Sequence, residues 1–173
     1  MNGLLTVLYE SAAAAVRVRR EYAKRRRAYN EKYFTYALLL RHGKIYVGNT
    51  GNIYQRLLEH KLVSSSSSLW VKEHGPVERI LEITVDAPAG AEADRTFDYM
   101  ATFGWEAVRG ASWCRTEMRN PPRGLAAFDR GGMAHKFMSR ADIDDVEAKV
   151  DVLVAEMRGD DEDDDNDPTD PTV

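Results

Sequence analysis

The chain has 173 residues, a net charge of −4 and a hydrophobic fraction of 43%, which is enough apolar material for one core with room for extensions. Its single cysteine, Cys114, excludes an internal disulfide and a cysteine-built zinc site, and it fits a reducing compartment. No stretch approaches the ~20 apolar residues that cross a bilayer, so no membrane partner is expected.

The opening "MNGLLTVLYESAAAAV" has neither a basic leader nor a clean cleavage site, so an intracellular location, cytoplasmic or nuclear, is expected. Residues 5–30 predict one helix, with no Gly or Pro to interrupt it. Residues 1–32 carry eight basic against three acidic side chains. Arg17, Arg19, Arg20, Lys24, Arg25, Arg26 and Arg27 are basic nearly all round the helix. That is a candidate nucleic-acid grip, or else a solvated surface.

Tyr33 to Leu40 and Lys44 to Val47 predict two strands, and "RHG" between them predicts a hairpin with Gly43 at positive φ. "NTGNIYQ" predicts a helix start, with Asn52 as cap and Gln55 reaching back, and a helix follows over 53–62. On it Leu57 and Leu58 face inward, while Arg56 and His60 share an exposed face. "SSSSS" at 64–68 predicts a flexible loop, and residues 76–85 a third strand.

A helix is expected from about 90 to 103, stopped by Gly104. Glu92, Thr96, Tyr99 and Phe103 lie on one of its faces and Ala93, Phe97, Met100 and Ala101 on another. Residues 104–138 are aperiodic and predict a loop. Residues 140–157 predict a helix with Ile143, Val146, Val150, Leu153 and Val154 on one side. The end of the chain, with eight acidic and no basic residues in 159–173, predicts disorder.

At this point the sequence resembles the GIY-YIG nuclease family. Tyr46-Val47-Gly48 matches the second signature, followed by Thr50 and a helix carrying Arg56 and His60. At the first signature the chain reads Phe34-Thr35-Tyr36, keeping the tyrosine alone, as in a variant branch. "EADRTFDYMATFGWEAVRGASWC" is similar to that branch's next block, so the resemblance covers roughly residues 33–114.

It implies an α+β fold with a small three-stranded antiparallel sheet flanked by helices. The nuclease-like domain would be 33–118, with a basic helical extension at 1–32. A loop and C-terminal helix would occupy 119–158, and an acidic tail 159–173. It also implies a metal-dependent DNA endonuclease. Tyr36 and Tyr46 would line the cleft, Arg56 would contact the scissile phosphate, and His60 would assist by hydrogen bonding. Glu92 would hold Mg²⁺ or Mn²⁺.

The chemistry agrees with that division of labour. A fork-shaped guanidinium suits charge developing on a phosphodiester, and a hard cation takes carboxylate and water oxygens. Asp94 and Asp98 are rival carboxylates. Tyr36 and His60 are rival bases, the phenol needing a lowered pKa and the imidazole starting near ~6.5. Lys44 joins the basic residues as a DNA contact. With no attached base-reading module, specificity would come from DNA structure, from residues 104–158, or from a protein partner or a homodimer. The alternative is an inactive nucleic-acid-binding or adaptor protein on the same fold.

Overall fold

A computed structural model describes residues 33–88, 90–128 and 135–159 of the chain. The basic residues between Arg17 and Arg27, the helix expected at 5–30 and the acidic tail lie outside the described residues.

The chain begins as expected. Strand β1 (Phe34–Leu40) turns through Arg41–Gly43 into β2 (Ile45–Thr50), with both His42 and Gly43 at positive φ. Helix α1 (Ile53–Lys61) follows, with the Asn52 carboxamide accepting the Gln55 backbone N–H at 3.3 Å. A short helix α2 (Leu69–His74), capped by Ser68, precedes β3 (Val77–Val85). Helix α3 (Ala91–Phe103) is bracketed by Gly90 and Gly104, both at φ 89°. The chain closes with the two-residue strands β4 (Val108–Arg109) and β5 (Lys136–Phe137) and helix α4 (Arg140–Gly159).

The sheet therefore differs from the three-stranded antiparallel sheet expected. It has five strands in the order β4-β2-β1-β3-β5, and β4 runs parallel to β2. The antiparallel β2-β1-β3 unit is its centre. Both added strands come from the segment 104–138 expected as loop. Two residues are too few to show an alternation, so these edges carry no periodic signal.

Each face of the sheet is covered. Phe34, Tyr36, Leu38 and Leu40 of β1 point to one side, against Ile53, Leu57, Trp70 and Val71. Ile143, Val146, Val150 and Val154 of α4 complete that core, so the C-terminal helix is part of it. Ala37, Ile45 and Val47 point to the other side, against Met100 and Val108. On α3 the buried seam is Ala91, Thr96 and Met100 rather than the stripe expected through Ala101, which is exposed. Among the described residues, no helix is long and apolar enough to cross a membrane.

Arg109 pins the irregular segment. It is 3% exposed and its guanidinium donates to the carbonyls of Trp105, Val108, Arg115 and Thr116 at 2.6–2.9 Å. The same group lies 4.3 Å from the centroid of the Trp70 ring. A segment without secondary structure must satisfy its carbonyls somewhere, and one side chain accepts that task. Arg109→Ala strands those acceptors in the interior, and a loss of about 3 kcal/mol or more in urea unfolding is expected.

Candidate functional site

Strand register places the tyrosines together. Tyr36 pairs with Gly48, and Tyr46 pairs with Leu38, so both phenols stand on the same face of adjacent strands. Their ring centroids are 6.3 Å apart. Gly48 makes this possible: a Cβ there would meet the Tyr36 hydroxyl at 2.4 Å and the Tyr46 ring at 2.9 Å. Gly48 is thus a glycine of close approach.

Helix α1 delivers two more groups. Thr50 Oγ1 accepts the Asn52 N–H at 3.0 Å and fixes the turn into the helix. Arg56 Nε donates to the Tyr36 hydroxyl at 3.2 Å, and His60 Nε2 lies 2.9 Å from the same oxygen. Whether the hydroxyl or Nε2 donates is set by the imidazole tautomer, since the hydroxyl can give one hydrogen and accept a second. Nδ1 is buried with no partner among the described residues.

His60 thus departs from expectation. It is fully buried instead of sharing an exposed face with Arg56, because its ring packs 5.2 Å from that of Tyr46 and 5.9 Å from that of Tyr36. Tyr36 is also fully buried and Tyr46 is 8% exposed, so the expected open cleft is closed over its inner members. Arg56 keeps a quarter of its side chain in solvent.

Burial sets the protonation states. Desolvation pushes Tyr36 far above the ordinary tyrosine range, with Tyr46 adding to the rise and Arg56 opposing it. Tyr46 is raised for the same first reason. His60 is pushed down to about 3, by burial and then by the Arg56 charge. Neither rival base is basic in this conformation: His60 is neutral at pH 7 and Tyr36 keeps its proton.

Glu92 comes from the opposite face of the sheet, on the first turn of α3. It reaches the others around the β2 edge, where β4 covers Ile45 and Tyr46 and stops. Oε1 accepts the Ala111 N–H at 3.1 Å, and Thr96 anchors the turn by donating to the Glu92 carbonyl at 2.6 Å. Gly110 lets this corner close, since a Cβ there would meet Thr96 Oγ1 at 2.4 Å and the Val47 carbonyl at 2.7 Å. The carboxylate is within electrostatic reach of Tyr36, Tyr46 and Arg56, without touching them. Burial raises its pKa, against the Ala111 N–H and Arg56.

The structure therefore joins Tyr36, Tyr46, Arg56 and His60 by contact, with Glu92 within electrostatic reach of the two tyrosines and the arginine. The rival carboxylates are engaged elsewhere, Asp94 with His135 at 2.7 Å and Asp98 with Arg95. Lys44 is set apart at the turn end of the hairpin, where it donates to the Glu106 carbonyl at 3.3 Å.

A dehydrated cage for a metal ion is absent among the described residues, where no group of three His, Cys, Asp or Glu converges. One half-buried carboxylate with Oε2 uncommitted among the described residues fits a hydrated Mg²⁺, which keeps several waters and takes one or two carboxylates.

The sequence missed two contributors. Gln55 does not close a capping box; its side chain donates to Glu59 Oε1 at 3.0 Å. The serines at 64–68 are not a free loop. Ser66 offers its carbonyl to Arg56 Nη1 at 2.7 Å, and Ser67 Oγ donates to the Glu59 carbonyl at 2.7 Å. The Ser68 side chain approaches the Tyr46 phenol. A run of one small polar residue has no periodicity from which such contacts could be read.

Compared with protein-family models, with curated proteins and with solved structures, the chain finds no match. The site's chemistry rests on its own geometry.

Two outcomes follow from that geometry. Gly48→Ala must displace the Tyr36 ring, so a loss of about 1–3 kcal/mol is expected by denaturant titration. His60 has a folded pKa of about 3 against an unfolded value near 6.5. It costs nothing above about pH 6.5; as pH falls below that, the unfolded chain alone takes the proton and stability is lost. Relative to His60→Gln, the protein should lose about 2–3 kcal/mol between pH 7 and 4.5 in parallel unfolding curves.

Proposed function

We propose that this chain is a metal-dependent DNA endonuclease of the GIY-YIG type, with Tyr36, Tyr46, Arg56, His60 and Glu92 as its site. The observation that carries this is the Tyr36 hydroxyl held between Arg56 Nε and His60 Nε2, above a glycine whose missing side chain makes room for it. An arginine fixed by a buried phenol–imidazole pair, facing one half-buried carboxylate, suits phosphodiester chemistry better than a purely structural cluster.

The burial pattern divides the roles. Tyr36 and His60 orient Arg56 from within, since neither reaches solvent. Arg56, partly exposed, donates to a non-bridging oxygen and stabilises the charge that grows as water oxygen bonds to phosphorus and the P–O3′ bond breaks. The Tyr46 hydroxyl, beside it and nearly buried, is a second donor. Glu92 would hold Mg²⁺ or Mn²⁺ together with water and phosphate oxygens. When bound there, such an ion would supply positive charge to the transition state. DNA would be the partner, with Arg17 to Arg27 adding backbone grip, and the expected site of action is intracellular.

The second reading, a nucleic-acid-binding protein on a retired nuclease site, is favoured by one observation. Arg56 Nη1 is already taken by Glu59 at 2.9 Å, and the inner tyrosine is sealed from solvent. Supercoiled and branched DNA, incubated with Mg²⁺, Mn²⁺ or EDTA, separates the two. Nicking is expected with either metal and not with EDTA, and Arg56→Ala and Glu92→Ala should each lower its rate by at least about 100-fold. Binding with no cleavage of either substrate decides for the second reading.

A further inference from the structure

Glu59 does more than form a surface ion pair. Its two oxygens have separate partners: Oε1 accepts from Gln55 at 3.0 Å and Oε2 from Arg56 Nη1 at 2.9 Å. The side chain is 22% exposed, and the residue's own carbonyl accepts the Ser67 hydroxyl. The second Nη1 hydrogen goes to the Ser66 carbonyl, and Lys72 Nζ secures the same turn by donating to the Ser65 carbonyl at 2.6 Å. A guanidinium has five N–H groups in one rigid plane. Three of them, on Nε and Nη1, are fixed by Tyr36, Glu59 and Ser66. Fixing two edges of a planar group fixes the third.

We propose that Glu59, braced by Gln55 and the serine turn, is a positioning residue that aims the Nη2 edge of Arg56 at a single phosphate oxygen of the substrate. This deepens the endonuclease reading and rests on it. Glu59 touches no reacting atom; it acts through Arg56. The phosphodiester is therefore met by one edge in a set direction, with the orientational cost met in folding.

The test compares the full chain with Glu59→Ala and Glu59→Gln. The amide oxygen that E59Q introduces can still accept from Nη1, so geometry survives while the charge is lost. Steady-state nicking of supercoiled DNA with Mg²⁺ should show kcat falling by about tenfold or more in E59A, with KM within about threefold. E59Q should stay within about threefold of wild type in both, and the urea midpoints of all three should be similar. A purely structural role would move the midpoints without splitting kcat from KM. An E59A kcat equal to wild type overturns the proposal, and so does an E59Q as impaired as E59A.

A second measurement keeps the two ideas separable. The Nε–H resonance of Arg56 in ¹⁵N-labelled protein should be sharp in wild type and E59Q and broadened by solvent exchange in E59A. If no DNA is cut, the endonuclease reading fails while this resonance still decides whether Glu59 holds Arg56. A resonance unchanged in E59A overturns the positioning role.

Discussion

The close approach of the Tyr36 phenol to the backbone of Gly48 is the contact on which the site depends. An antiparallel pair sets facing Cβ atoms ~4.5–5.5 Å apart, so a side chain opposite a tyrosine ordinarily stands beside its ring. Here the ring lies over the partner's Cα, which only a residue without Cβ permits. That displacement brings the hydroxyl against α1, where Arg56 and His60, one turn apart, both reach it. Tyr46 fills the space left on the other side. One missing methyl group thus couples strand register to the placement of a guanidinium.

The surrounding fold holds the two sides of that arrangement fixed. Arg56 and His60 belong to the layer that includes α4, and Glu92 to the layer behind the sheet. At the sheet edge beside them β4 ends at Arg109 and the chain turns tightly through Gly110. The Arg109 guanidinium holds the four carbonyls around that turn, and Trp70, from the opposite layer, stacks on it. Buried charge is costly unless hydrogen-bonded, and four of the five N–H groups here have carbonyl partners; its worth lies in the shape it imposes.

Much of this was legible in the sequence. The hairpin, the Asn52 cap, both glycine-bounded ends of α3 and the apolar stripe of α4 all show in spacing and composition. Tyr36, Tyr46, Arg56 and His60, singled out from the sequence, do come together, though their burial was not legible. Helical periodicity places His60 four residues after Arg56 and so on a common face, but it cannot tell that the face turns under two aromatic rings. The two-residue strands and the serine turn were not legible, since their geometry is imposed from outside: by Ala107 and Arg109 in one case, by Arg56 and Lys72 in the other. Tertiary contacts leave no mark on local pattern.

Burial also decides which groups can act. A phenol and an imidazole sealed from water are each driven toward the neutral form, in opposite directions on the pH scale. Together they make a neutral hydrogen-bonding pair that is insensitive to pH across the physiological range and rigid because its neighbours are packed. An arginine attached to such a pair keeps its charge while losing its freedom. The cost of ordering a long side chain, about 2 kcal/mol of rotamer entropy, is then met by folding and is not charged to ligand binding. On the endonuclease reading, the chemistry is confined to Arg56, Tyr46 and Glu92, and the interior serves as its foundation. Three such groups grip one linkage and read no base. Any preference among DNA substrates then has to arise from contacts beyond it.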